Sequence, residues 1–475
     1  MSSDGIPRQT LPATTLQKMS AWTRCAVVAE NLVISIPLAV MVLLPLGEAV
    51  LRRTLHVSIP ASASIVQHMV LVVGMLGGAV AAREGRLLSL STLGETSIRG
   101  RLKITSRFLT SNVSAAISAF LCLAAYQFVQ TEREAGKILA YGVPVWVVEC
   151  VLPLGFAAIA IRILLHTSEK RNVQVTAAGF AVLVVEIMMH LPAGSHHTAA
   201  IALGILFLGS VLGMPAFATL GGAALILFWS AEQPIAALPI AHYALVTNPV
   251  LPTLPLFTLA GYFFAESGAP KRLVRVFYAL FGQFRGGPAI VTVLVCAFFT
   301  SFTGASGVTI LALGGLLMPV LTGARYSDKD ALGLLTGSGS LGLLLPPCLP
   351  LIVYAIVARV PIEQMFLGGL IPALVMMTAT AIWGIRRGTA AGGAVSKFNW
   401  REACAALWEA KWELALPVIA LAALFSGLTT PVEAAALTAL YAFFVQAVIH
   451  RDLRIIKDVP RVMAECGLLI HGACP

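Results

Sequence analysis

Residues 286–330 read GGPAIVTVLVCAFFTSFTGASGVTILALGGLLMPVLTGARYSDKD, and residues 332–358 continue LGLLTGSGSLGLLLPPCLPLIVYAIVA. The first stretch holds two apolar arms, 288–302 and 308–322, each shorter than the roughly 20 residues of a full membrane crossing. Between them stands a small, polar, flexible tip, Thr303-Gly304-Ala305-Ser306-Gly307, and both flanks carry arginine, Arg285 and Arg325. Arm length and tip composition favour a re-entrant hairpin, although two full spans would give the same parity. The second stretch starts as helix, then meets Gly337-Ser338-Gly339-Ser340 and Pro346-Pro347-Cys348-Leu349-Pro350. Glycine costs about 1 kcal/mol and interior proline about 3 kcal/mol in a helix, so unwinding is expected around 337–350. Unwound backbone at membrane depth is tolerated where it is buried in protein or lines a polar cavity. Its carbonyls can hold sodium and its half-helix N-termini can face an anion. Small residues also serve plain helix packing, and prolines plain kinks. Serine and threonine at both breaks favour the ion or substrate site.

Composition agrees about the solvent. Of 475 residues, 58% are hydrophobic and only 11% charged, against about 25% charged in a soluble domain. Mean hydropathy is +0.88. The chain reads as an all-α polytopic membrane protein in a lipid bilayer. Spans are expected at about 31–50, 64–82, 111–130, 143–165, 173–191, 198–213, 215–231, 251–266, 331–357, 366–385, 412–428 and 432–449. With the N-terminus cytoplasmic, 27 of 32 lysines and arginines fall inside, and only Arg52, Arg53, Arg133, Lys137 and Arg359 outside. The net charge of +10 therefore reports cytoplasmic loops, with no nucleic-acid partner implied. The polar first twenty residues lack a small-residue cleavage site, so the first span is expected to stay as an anchor. Eight scattered cysteines form no CxxC pair and read as small core residues.

The chain divides near 166–172, HTSEKRN. Residues 1–170 form a four-helix module, 171–197 a connecting helix, and 198–475 a glycine- and proline-punctuated transport module.

Several motifs carry less than their letters suggest. Gly337-Ser338-Gly339-Ser340-Leu341-Gly342 matches GxGxxG but lacks a preceding strand, and no GxxxxGK[ST] loop points to ATP. Asn112-Val113-Ser114 is a glycosylation triplet at the start of an apolar span, and is discounted. Thr430-Pro431-Val432-Glu433 reads as a capping box, which accounts for Glu433 without chemistry. Of the remaining acids, Glu48 and Glu186 sit deepest in spans, while Glu149 and Glu266 are expected at solvated span ends. His196-His197 reads as a solvated pair, and Gly74 with Gly78 as a helix contact. His68 and His190 are isolated, which leaves little for an intramembrane hydrolase or a haem protein.

GMPAFATLGG and PLFTLAGYFF (within 213–264), GSLGLLLPPCLPLIVYA (339–355) and TTPVEAAALTALYA (429–442) resemble the large membrane subunit of tripartite ATP-independent periplasmic (TRAP) transporters. The first module, with Glu48 and AAREGRLLSLSTL (81–93), is similar to that family's small membrane subunit, and the order is that of the fused permeases. The resemblance implies a sodium-driven, elevator-type secondary importer in the bacterial inner membrane, with no enzymatic activity and no cofactor beyond the coupling ion. A periplasmic substrate-binding protein would deliver an organic anion, a carboxylate or acidic sugar. Carried across by position, Ser301, Thr303, Gly304, Ala305, Ser306, Gly307 and Thr309 would form one side of a sodium site. Gly337, Ser338, Gly339, Ser340 and Gly342 would form the other, with Pro346 and Pro347 shaping the break. Cys348 stands where the family usually has serine, and a soft thiol would serve a sodium ion less well. The family's second, inverted hairpin is not reached before GLLIHGACP. That leaves a second reading open: a truncated, non-transporting membrane scaffold, completed by a separate chain.

Overall fold

Hydrocarbon offers backbone N–H and C=O groups no partners, so a segment that crosses it alone must be helical. The computed structural model describes residues 21–89, 101–167, 196–284, 286–390 and 398–473, with Ser91, Gly179 and Glu186, and is all-α apart from one short hairpin. The expected connecting span at 173–191 lies outside the described residues except for Gly179 and Glu186.

In chain order come α1 (Ala21–Thr54), α2 (Ser62–Glu84), α3 (Arg101–Ala135), the hairpin β1 (Ile138–Ala140) and β2 (Val143–Pro144), α4 (Val145–Glu149), α5 (Val151–His166), α6 (His196–Val211), α7 (Ala216–Ser230) and α8 (Ala237–Val246). They are followed by α9 (Thr253–Ala265), α10 (Ala269–Phe281), α11 (Gly287–Thr303), α12 (Ser306–Gly323), α13 (Asp328–Ser338) and a 3₁₀ turn (Leu341–Leu344). The rest are α14 (Leu349–Ala358), α15 (Ile362–Ala390), α16 (Trp400–Glu409), α17 (Lys411–Phe425), α18 (Pro431–Phe444) with a π turn at Val445–Ile449, and α19 (Asp458–Ala473).

Among the described residues, seven helices are long and apolar enough to cross a membrane, or eight with the broken pair counted as one. The expected spans at 198–213, 215–231, 251–266 and 412–428 are helices of only 16, 15, 13 and 15 residues. An apolar run gives its own length, whereas Gly213 at φ 97° and the capping prolines Pro215 and Pro252 set where a helix ends. Helices α8, α10, α16 and α19 stood outside the expected spans.

Contacts divide the chain into two compact units. In the unit of residues 59–249 with 467–475, α2, α3 and α5 meet along an alanine seam of Ala79, Ala82, Ala115 and Ala116, closed by Ile159 and Ile163. Small side chains let backbones approach closely. Helix α3 buries a ladder of hydroxyls, each satisfied within the helix: Thr110 donates to Ser106 O (3.0 Å), Ser114 to Thr110 O (2.7 Å) and Ser118 to Ser114 O (2.8 Å). Asn112 is fully buried and donates to Phe108 O, which agrees with discounting it as a glycan acceptor. Gly74 faces open space, and the close contact falls at Gly77, where an added Cβ would lie 2.1 Å from Gly467 O.

In the other unit, residues 1–58 with 250–466, α9 is buried on all sides, from Thr253 to Phe264. Arg52 on α1 donates to Glu433 (2.7 Å) at the start of α18, where the Thr430–Glu433 capping box is present as expected. Arg272 is a hub the sequence did not reveal. It donates to Glu413 (2.6 Å), Gln446 (2.8 Å) and Asp452 (2.8 Å). Glu413 is fully buried, and the π turn carries Gln446 into the same cluster. The amphipathic α10 and α16 are joined on their polar sides by Arg275 to Glu402 and Glu409. The hydrogen bond from Arg275 holds the Glu402 carboxyl below the ordinary carboxylate range.

Candidate functional site

The hairpin forms because α11 and α12 each have a definite end. Helix α11 stops at Gly304, whose φ of 64° is a left-handed conformation and whose N–H closes on Thr300 O (2.9 Å). Ala305 is extended, and α12 begins at Ser306. The turn between the arms is therefore just Gly304-Ala305. It is seated tightly: a Cβ on Gly304 would lie 2.3 Å from the Leu349 side chain, and one on Gly261 of α9 would meet the Phe302 and Thr303 backbone at 2.7 Å.

The second segment breaks where its composition says it should. Helix α13 ends at Ser338, the 3₁₀ turn covers 341–344, and α14 restarts at Leu349, the halves meeting at 41°. The Pro346–Pro347 peptide is cis. A Cβ on Gly342 would lie 2.3 Å from Ala297 O and 2.7 Å from Ser301 N, so the 3₁₀ turn rests on the backbone of α11 itself.

These two breaks come together. Thr300 Oγ1 lies 2.8 Å from Cys296 O, 2.9 Å from Thr309 Oγ1 and 2.9 Å from Gly339 O. Thr303 Oγ1 is 3.1 Å from Thr309 Oγ1. All three threonines are fully buried. A hydroxyl has one proton to give, so this cluster holds more acceptor lone pairs than donors. The Ser338 hydroxyl is also fully buried and makes no hydrogen bond. The arrangement is a nest of neutral oxygens, the donor chemistry that hard cations take.

Not every expected position joins it. Ser301 turns back to Phe298 O (2.8 Å), Ser306 is half-buried, and Gly307, Gly337 and Ser340 are exposed. Gly339 contributes its carbonyl and Gly342 its lack of a side chain. Cys348 is fully buried and its thiol is 2.6 Å from Leu343 O, closing the turn before α14. Thr300, the residue that ties both arms to the break, was missed. In FFTSFT it looks like any threonine bonded to the carbonyl four residues back, and only its second and third neighbours distinguish it.

A family model described as the tripartite ATP-independent periplasmic transporter DctM component matches residues 203–470, and one for the DctQ component matches residues 41–171. The chain is similar to the C4-dicarboxylate TRAP transporter large permease protein of Vibrio cholerae, 35% identical over 263 residues, 54% of this chain and 57% of that protein. The corresponding Rhodobacter capsulatus protein is 30% identical over 282 residues, 56% of this chain and 64% of that one. The isethionate TRAP transporter permease protein DctMQ of Oleidesulfovibrio alaskensis, also a fusion, is 29% identical over 327 residues, 66% of this chain and 50% of that one. The chain thus spans half to two thirds of the length of these relatives.

The fold is that of a multi-pass membrane protein, and the family models that match the chain describe components of a periplasmic transporter. The chain belongs to the TRAP transporter family, with small- and large-subunit regions fused in one polypeptide.

Proposed function

We propose that this chain is the permease of a sodium-driven, binding-protein-dependent secondary importer of organic anions. The convergence of Thr300, Thr303 and Thr309 with the Gly339 carbonyl carries the reading. These buried hydroxyls and the carbonyl present neutral oxygen lone pairs that a hard cation can take, and Ser338 adds an unpartnered oxygen in the same broken segment. Sodium sits among these oxygens, and its charge draws an anionic substrate toward the N-terminal ends of α12 and α14, which start on either side of Gly304. Relatives named for C4-dicarboxylates and for isethionate support a small organic acid. A periplasmic substrate-binding protein delivers it, and the chain lies in the inner membrane with its N-terminus cytoplasmic, as the basic-residue asymmetry favours.

Maleimide labelling of Ser306→Cys in membranes tests the site, because Ser306 is half-buried at the hairpin turn. Sodium is expected to slow labelling several-fold while potassium does not. Identical rates in the two salts would overturn the sodium site.

A further inference from the structure

Helix α16 presents three faces, and two of them have partners. Ala403, Ala406 and Ala410 are buried, the last two packed with Val276 of α10. Glu402 and Glu409, two turns apart and so on one side, are both held by Arg275 of α10. The third face carries Trp400, Cys404 and Trp408, spaced so that they share a side, flanked by Arg401 and by Lys411 at the start of α17. This face is bare. Trp400 is 69% exposed and Trp408 72%, although tryptophan is highly buried on average in a folded protein.

The charges on the bare face have one sign. The Lys411 ammonium lies 3.6 Å from the centre of the Trp408 ring and 5.2 Å from that of Trp412, and Arg401 is exposed. Among the described residues neither cation is paired with a carboxylate. The acids of α16 are turned to Arg275, and the next acid along the chain, Glu413, is fully buried against Arg272. Helix α16 also stands between α15, which is long and apolar enough to cross a membrane, and α17, whose run LALPVIALAALF is apolar. A helix so placed meets the headgroup layer. There indole rings settle with their apolar bodies inward, and lysine stems reach outward to the wet region. A second protein could cover the indoles, but the two unpaired cations call for an anion. Lipid phosphate is the anion a membrane surface supplies.

We infer that this face of α16 is a docking surface for the anionic phospholipid headgroups of the membrane. Lys411 and Arg401 donate to the phosphate oxygens, and the Trp400 and Trp408 rings lie beneath them against the glycerol and the first methylenes. The contact of Lys411 with Trp408 holds the ammonium beside the indole, so that cation and ring are presented together. The opposite side, with the half-exposed Arg275, Glu402 and Glu409, faces water, where such ion pairs are tolerated. The alanine stripe packed with Val276 fixes the roll of α16 and therefore which face meets lipid. This surface does not depend on which ion or solute the chain moves.

Tryptophan fluorescence of the full chain in nanodiscs of brominated lipid reads the surface, because bromine quenches the indoles it can approach. Trp408→Phe and Trp400→Phe each replace one exposed aromatic ring by another, and subtraction from the parent gives the emission of each ring. Both components should be quenched more strongly by phosphatidylcholine brominated near the headgroup than by the same lipid brominated near the chain end. At equal low mole fraction, brominated phosphatidylglycerol should be enriched around Trp408 about fivefold over brominated phosphatidylcholine, the order one basic residue supplies at an anionic surface. Arg401→Gln combined with Lys411→Gln should bring that preference to parity while the shallow quenching persists. Absence of quenching by any brominated lipid would mean that water or protein covers the face, and would overturn the proposal. Stronger quenching by the deep bromine would overturn it too, as would equal enrichment of the two headgroups around the parent protein.

Discussion

Two glycines of one short motif should respond oppositely to the same substitution. In Gly337-Ser338-Gly339-Ser340-Leu341-Gly342, a methyl group added at Gly342 would sit 2.3 Å from Ala297 O, with Thr300 Cβ at 2.6 Å and Ser301 N at 2.7 Å. Ordinary contact begins near 3.4 Å, so the 3₁₀ turn must retreat from α11 by about 1.1 Å. The neighbours are largely backbone, with no flexible side-chain end to give way. Overpacking of this kind costs about 1–3 kcal/mol. The same retreat stretches the 2.9 Å contact between Thr300 Oγ1 and Gly339 O past hydrogen-bonding range. At Gly337 an added methyl meets nothing within 4 Å. There Gly→Ala removes only backbone freedom, and helix stability should rise by up to about 1 kcal/mol. The assay is thermal unfolding of the two purified variants and the parent protein in detergent, in sodium and in potassium. Gly342→Ala should unfold earlier and bind sodium at least tenfold more weakly, about 1.4 kcal/mol less stabilisation. Gly337→Ala should match or exceed the parent. Equal damage from both, or a Gly342→Ala protein with undiminished sodium response, would refute the reasoning.

Thr300→Val keeps the shape of the side chain and removes the hydroxyl shared with Thr309 and Gly339. It should cost about 1–3 kcal/mol and weaken sodium binding, read in the same melts. Arg272→Met strands the buried Glu413 and should destabilise by about 3–5 kcal/mol, whereas the pair Arg272→Met with Glu413→Leu should recover most of that in a double-mutant cycle. Thr430→Ala removes the α18 cap and should lower stability by about 1 kcal/mol by chemical denaturation, with Glu433 still held by Arg52. Cys348→Ser should leave folding intact, because serine can make the same bond to Leu343 O that the thiol makes, and circular dichroism melts check it.

The two breaks were legible because glycine and proline act locally. Gly304 takes a positive φ, and Pro346-Pro347 cannot continue a helix, wherever the rest of the chain lies. The Thr430–Glu433 cap was legible for the same reason. Burial is not local, and the misses follow from that. Glu149, expected at a solvated span end, is fully buried; it follows a two-stranded hairpin that no alternation in ILAYGVP announced, so its depth was out of reach of hydropathy. Glu413 reads as an ordinary acid in the first turn of α17 until Arg272, more than a hundred residues away, is placed beside it. Thr300 and Ser338 gain their meaning across the gap between α11 and α13, a gap defined by packing alone. Short helices such as α9 escaped correct measurement because a continuous apolar run does not display its own ends.

The seat of the 3₁₀ turn on α11 also bears on how this protein can vary. Most crowded contacts lie between two side chains, and when one enlarges the other can shrink, so a damaging change has a ready compensating partner. Where Gly342 meets Ala297 O and Ser301 N, the one side-chain atom close by is Thr300 Cβ, which every residue but glycine keeps. A genetic screen for second-site revertants of Gly342→Ala should therefore return few hits in the contact itself. Revertants should instead arise at a distance, among residues that set the position of α11 or α13 as a whole, such as Gly384, which packs against Ala289 and Leu334, or Tyr326, which anchors to Gly384 O.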